Sequence, residues 1–278
     1  MACPEEDPEP PALPCRAGAV IAVKDLSRAK SRMAALPPAH RGRLAGLMAV
    51  VVAKACAEVL DAVVIVTTAP GIGTLLAAHG VSVRVVADPR SGLNAAFEAG
   101  AQALVESGCE LVVACMGDLP ALTPAGLADA LAGCSGHGRW FVRDDEETGT
   151  TLLAARGASL APAFGPDSAT RHMDSGAVEL TASAGLRLDA DTPDDLLRAA
   201  ALGIGHPVSP LIDGDQIARH TTGTVVGGSG EGWELLLTTG FRTYAPAGAL
   251  APEVRQLAPG QRVHLVRTAD GAVRHLWI

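Results

Sequence analysis

The sequence predicts an α/β domain built on a mostly parallel sheet, followed by a small five-stranded β-barrel. Three observations carry this. Across residues 18–202, short apolar runs alternate with Ala-rich helical stretches at repeats of about 25 to 30 residues, the spacing of right-handed βαβ units. The apolar runs are Val-rich and almost free of charge, as strands covered on both faces require. From Gly203 the texture changes: Gly, Pro and Ser loosen the chain, and short strands with Gly turns replace helices.

Taken in order, residues 1–17 are rich in Pro and Glu and read as a disordered tail. Residues 18–23 form the first strand, and residues 25–35 a polar loop. Pro37 and Pro38 open a helix over residues 41–60, with Pro tolerated in the first turn. Residues 62–67 are a strand, 70–79 a short helix ended by Gly80, and 81–87 a third strand. A loop at 88–92 leads into an Ala-rich helix at 93–106. Residues 111–115, Leu-Val-Val-Ala-Cys, are the strand on which the chain is organised. They stop at Met116-Gly117, expose one acid, Asp118, and turn away at Leu119-Pro120. A helix at 124–131 follows, then strands at 140–143 and 150–155 around an acidic turn. Residues 167–175 read as helical and 185–190 as a last strand. Thr192-Pro193 starts a helix through residue 202, with Thr as N-cap, Pro at the first helical position and acids behind it. The expected domain is residues 18–205, the linker 206–219 and the barrel 220–278.

Composition excludes several functions. The 278 residues are 48% hydrophobic but only 3% aromatic, so the core must be built from Ala, Val and Leu. No apolar run approaches the roughly 18 to 20 residues of a membrane span. The net charge of −8 argues against general phosphate-backbone binding, so neither membrane nor nucleic acid is an expected partner. The six cysteines, Cys3, Cys15, Cys56, Cys109, Cys115 and Cys134, show no CxxC spacing. With an acidic, Pro-rich start rather than a signal sequence, they point to free thiols in a reducing cytoplasm. Lysine occurs three times, at Lys24, Lys30 and Lys54, and two of these fall in one loop.

In an open parallel sheet, ligands bind beyond the carboxyl ends of the strands. Four groups fall there. The first is the basic stretch VKDLSRAKSR, carrying Lys24, Arg28, Lys30 and Arg32, which suits a triphosphate. The second is DPRSGLNAA, where Gly92 and Asn94 at a helix start suit a base or ribose. The third is Asp118. The fourth is LDADTPDDL, with Asp189 and Asp191 alternating on the expected strand, so that one of them faces Asp118. Two acids from separate strand ends and a cluster of cations are what Mg²⁺-assisted nucleotidyl transfer needs. A fifth group, ETGTT followed by FGPDS and Arg171, combines hydroxyls, backbone amides and a guanidinium into an anion site. For each group taken alone, the bland alternative is an ordinary turn or cap. Neither GxGxxG after the first strand nor GxSxG is present.

Together the stretches VIAVKDLSRAKSRM, DPRSGLNAAFEAG, MGDLPAL, GTGTTLLAA, FGPDSATRH and GLRLDADTPDDL resemble the CofC/FbiD family, the guanylyltransferases of coenzyme F420 biosynthesis. The resemblance covers residues 18–202. It implies a GT-A-like nucleotidyltransferase fold, a single Rossmann-like sandwich related to molybdenum-cofactor guanylyltransferases. It also implies transfer of GMP from GTP to a phosphorylated three-carbon acid with release of pyrophosphate. That acid is 2-phospho-L-lactate, phosphoenolpyruvate or 3-phosphoglycerate, depending on lineage; the Ala-rich composition looks actinobacterial, for which the resemblance implies phosphoenolpyruvate. By position, Asp118 and Asp191 would hold Mg²⁺, with Asp189 as the other choice. Thr150, Gly165 and Ser168, with Arg171 beside them, would hold the acid. Lys24, Arg28 and Lys30 would hold the GTP phosphates, and Gly92 with Asn94 the nucleoside. Lys24, Lys30, Asp118 and Asp191 are the catalytic candidates. The protein partners considered are a second copy of the chain and a downstream transferase of F420 assembly.

The resemblance leaves the last 60 or so residues unexplained. GTVVGGSGEGWELLL and LAPGQRVHLVR are laid out like a cold-shock or related OB barrel, yet only Trp233, Phe241 and Tyr244 remain of an aromatic platform. From Val208 onward, six Arg balance six acids, leaving no basic face. Two alternatives stay open. One is a transferase of the same fold acting on a sugar phosphate or molybdopterin; the other is a non-catalytic nucleotide- or RNA-binding protein.

Overall fold

A computed structural model describes residues 15–23, 38–203, 220–252, 254–268 and 272–278. The expected tail up to residue 14, the basic stretch with Lys24, Arg28, Lys30 and Arg32, and the linker 206–219 lie outside the described residues.

The first sheet has seven strands. They are β1 (Ala17–Val23), β2 (Ala62–Thr67), β3 (Arg84–Ala87), β4 (Leu111–Cys115), β5 (Gly138–Arg143), β6 (Thr150–Arg156) and β7 (Val178–Glu179). Their order is β3-β2-β1-β4-β6-β5-β7. β1 pairs in parallel with β2 and β4, and β2 with β3. β6 runs antiparallel to both β4 and β5, while β7 is parallel to β5, so β6 alone is reversed. Thus the carboxyl ends of β1 and β4 and the amino end of β6 share one edge.

Helices cover both faces, which is why the central strands read as continuous Val runs. On one face lie α1 (Pro38–Val59), α2 (Ile72–Ala78) and α4 (Pro124–Leu131), whose Leu44, Met48, Val52, Leu76 and Leu127 pack with Ile21, Ile65 and Val113. On the other lies α3 (Leu93–Glu106), whose Phe97 and Leu104 pack with Val20, Val64, Val66 and Val112. Gly100 allows α3 to sit close: a Cβ there would lie 2.1 Å from Val20 Cγ2.

Two expectations need correction. Residues 185–190 are not a strand. Residues Ala184–Arg187 form one helical turn, α6, with Ser183 at its N-cap position, and the chain then runs irregularly to α7 (Pro193–Ala201). Ser before Ala-Gly-Leu-Arg favours a helix start. The sheet instead takes β7, two residues too short for periodicity to reveal. The helix expected at 167–175 is α5 (Ser168–Asp174).

The C-terminal sheet is antiparallel: β8 (His220–Ser229), β9 (Gly232–Leu237), β10 (Arg242–Pro246), β11 (Arg262–Arg267) and β12 (Val273–Trp277), ordered β10-β9-β8-β11-β12. Residues of β10 and β12, at opposite ends of that order, come within 8 Å Cα to Cα, so the sheet curls into a small barrel. Alternate residues Val225, Leu235, Leu237, Ala245, Val263, Leu265 and Leu276 fill it. Phe241 and Tyr244 are exposed, and Arg242 pairs with Glu234 on the outer face. Among the described residues no helix is long and apolar enough to cross a membrane, and Cys15, Cys56, Cys109, Cys115 and Cys134 are free thiols.

Candidate active site

At the shared edge, β4 ends at Cys115 and the chain continues beside β6, with Met116 N–H donating to Thr151 O at 2.9 Å. Asp118 follows. Its backbone carbonyl accepts from Ala190 N–H at 3.0 Å, which lays segment 188–192 alongside. Because 188–192 is irregular, Asp189 and Asp191 do not diverge as alternating strand residues would. Carboxylate oxygens of Asp118, Asp189 and Asp191 all lie within 4.8 Å of one another, each half-buried. This corrects the expectation that only one of the pair turns to Asp118.

The start of α7 fixes the second half of this cluster. Asp195 Oδ2 accepts from Asp191 N–H at 3.1 Å, from Thr192 N–H at 2.8 Å and from the Thr192 hydroxyl at 2.8 Å. Thr192 Oγ1 in turn accepts from Asp195 N–H, completing a capping box. Three charges this close repel by about 3 kcal/mol per pair at an effective dielectric of about 20, so the set calls for positive charge. Three hard carboxylates within reach of one ion suit a divalent cation of the Mg²⁺ type.

Beside the carboxylates, the turn from β5 to β6 is closed by Asp144, whose carboxylate accepts from Thr148 N–H at 3.0 Å and Gly149 N–H at 2.8 Å. The turn delivers Thr150 at the first position of β6. The first turn of α5 docks on it, with Ala169 N–H donating to Thr148 O. Ser168 is buried at the head of α5, and its N–H donates to Gly165 O. Gly165 has φ +124°, a conformation that favours glycine. Thr150, Gly165 and Ser168 are therefore brought together.

Two candidates also make hydrogen bonds within the chain. Asn94, on the first turn of α3, spends its amide on the backbone of Phe164: Oδ1 accepts from Phe164 N–H at 2.8 Å and Nδ2 donates to Phe164 O at 3.2 Å. Arg171 donates through Nε and Nη2 to Ala163 O, at 3.1 and 2.7 Å. Both side chains thus hold the strap 163–165 that carries Gly165. Gly92, the N-cap of α3, is exposed, and the loop before it is tightened by Arg90 N–H donating to Asp88 Oδ1 at 2.7 Å. Asp144, His172 and Asp195 were missed. Only Asp195 had a signal, three residues after an N-cap Thr; the other two act through contacts that no spacing rule encodes.

A model of the MobA-like NTP transferase domain matches residues 27–183, more than half of the chain. The chain belongs to the MobA-like NTP transferase family. It is 43% identical over 204 residues to the phosphoenolpyruvate guanylyltransferase of Mycolicibacterium gilvum, covering 70% of this chain and 94% of that relative. It is 42% identical over 205 residues to the protein of the same name from Geodermatophilus obscurus, covering 70% and 93%. A solved structure from Desulfovibrio desulfuricans, described as a nucleotide-diphospho-sugar transferase, shares the fold at 14% identity with a TM-score of 0.56, covering 73% of this chain and 96% of that one. As an NTP transferase, the protein carries its acid cluster at the strand ends where this fold class binds ligands.

Proposed function

We propose that the protein transfers GMP from GTP to phosphoenolpyruvate and releases pyrophosphate, as a cytoplasmic step in coenzyme F420 biosynthesis. The observation that carries the reading is the convergence of Asp118, Asp189 and Asp191 beside Thr150, on a chain more than 40% identical to proteins bearing that activity's name. A phosphate oxygen of the acid attacks the α-phosphorus of GTP. The bond from that phosphorus to the bridging oxygen breaks, and the electron pair leaves with pyrophosphate.

In this reading Thr150, Ser168 and the Gly165 backbone hold the acid and aim its phosphate. Lys24, Arg28 and Lys30 hold the triphosphate and steady the leaving group. Gly92 lies near the nucleoside; Asn94 acts by tying the start of α3 to the strap. Asp118 and Asp191, with Asp189, are the residues that would hold Mg²⁺. Bound there, the ion neutralises charge developing around the α-phosphate. Residues 18–205 carry the activity, and the barrel of residues 220–278 is an appendage for stability or for pairing two copies. The test is pyrophosphate release from GTP, with Mg²⁺, in the presence of phosphoenolpyruvate, 2-phospho-L-lactate or 3-phosphoglycerate in turn. Release with phosphoenolpyruvate well above the other two is expected. Release with a sugar phosphate and none of the three acids would replace the acceptor.

A further inference from the structure

His172 is fully buried in α5, and nothing in phosphate transfer calls for a histidine there. Both ring nitrogens are engaged. Nε2 accepts from the Ala163 N–H at 2.9 Å, and Nδ1 lies 2.9 Å from Thr150 Oγ1. A backbone amide can only donate, so Nε2 must offer its lone pair. A neutral imidazole then carries its proton on Nδ1, and Nδ1–H donates to Thr150 Oγ1. The imidazolium is excluded by the same contact, because an Nε2–H would face the Ala163 N–H. Burial first, then Arg139 and Arg171, push the ring's pKa down to about 4, in keeping with the neutral form. Phe164 edge-on and Phe141 nearby complete its surroundings.

A threonine hydroxyl is normally free to donate or accept. Here one lone pair is committed to Nδ1–H, and among the described residues Oγ1 has no other hydrogen-bond partner. Its own proton must point away from the ring. We propose that His172 is a positioning residue that makes the Thr150 hydroxyl a dedicated hydrogen-bond donor to the anionic acceptor. The same ring, through Ala163, steadies the strap that presents Gly165. This rests on the reading of Thr150, Gly165 and Ser168 as the acid-binding set.

Two experiments on the full-length protein test it. Long-range ¹⁵N NMR of the histidines at neutral pH should show a pyrrole-type Nδ1 and a pyridine-type Nε2 for His172; the opposite tautomer overturns the proposal. In kinetics, His172→Gln can place its amide oxygen near the Nε2 position and keep the Ala163 contact, while losing the donor to Thr150. His172→Asn keeps a donor at the Nδ1 position. Loss of donor control should raise KM for phosphoenolpyruvate about tenfold in His172→Gln and leave KM for GTP unchanged, with His172→Asn within about threefold of wild type. In a Thr150→Val background, His172→Gln should add nothing further. Additive effects, or equal rises in both KM values, would mean a merely structural ring and overturn the proposal. If His172→Gln does not fold, the NMR tautomer and the His172→Asn kinetics decide. A wild-type protein that releases no pyrophosphate with any three-carbon acid would overturn the acceptor reading and with it the positioning role, whichever tautomer the spectrum shows.

Discussion

At the scale of single residues, the proposed chemistry falls to carboxylates and hydroxyls that need no unusual activation. Asp118→Ala removes one of three converging acids. It should cut turnover by several kcal/mol, about 10³-fold, with an unchanged circular-dichroism spectrum. Wild-type rates would contradict the cluster's role. Ser168→Ala removes one hydroxyl from the acid side only. It should raise KM for the acid about tenfold, the worth of a hydrogen bond to a charged group, with little change for GTP in steady-state kinetics. His172 makes a prediction about pH. Its folded pKa of about 4 lies below the usual value of about 6.5, so the unfolded chain takes the proton first. Stability should fall as pH drops from about 6.5 to about 4, and this contribution should be level above that window. Urea midpoints across the range, compared with His172→Asn, measure it; no difference in slope would contradict the buried neutral ring. The positions of Asp118, Thr150 and Ser168 were legible because Asp118 follows the end of β4, Thr150 opens β6 and Ser168 opens α5. His172 and Asp144 were not, because their partners are set by how α5 and the β5–β6 turn dock.

At the scale of elements, the alternating strands and helices were legible to within about three residues, since buried parallel strands leave long Val runs and helices leave Ala and Leu stripes. What failed was the segment before α7. Leu-Asp-Ala-Asp alternates like a strand, but here the two carboxylates turn to Asp118 in one acidic cluster and not to opposite faces of a pleat. The α7 capping box holds that irregular backbone. Asp195→Ala should therefore cost about 1 kcal/mol of stability and also raise the Mg²⁺ concentration needed for half-maximal activity, because Asp191 N–H loses its acceptor. A melting-temperature drop with an unchanged metal requirement would separate the cap from the site. Neither β7 nor α6 was readable, since two- and four-residue elements are set by their neighbours and not by their own pattern.

At the scale of the whole molecule, the change in texture after Gly203 anticipated a second sheet of another kind, five-stranded and antiparallel, because helix and strand periods differ and Gly turns mark it. The barrel's partner was not legible: its outer face shows Phe241 and Tyr244 beside a paired Arg242 and Glu234, and no excess of positive charge. Deleting residues 208–278 should leave kcat within about twofold, if each unit holds its own core. A collapse of activity in a still-folded product would assign the barrel to the site. The central claim, that one acid cluster joins the α-phosphate of GTP to a phosphorylated acid, is tested most directly by the fate of label. GTP carrying its label on the α-phosphorus is incubated with phosphoenolpyruvate, and the products are resolved by mass spectrometry. The account predicts labelled GMP joined to the acid through a diphosphate bridge, with unlabelled pyrophosphate; label recovered only in GTP, GDP or free GMP would contradict it.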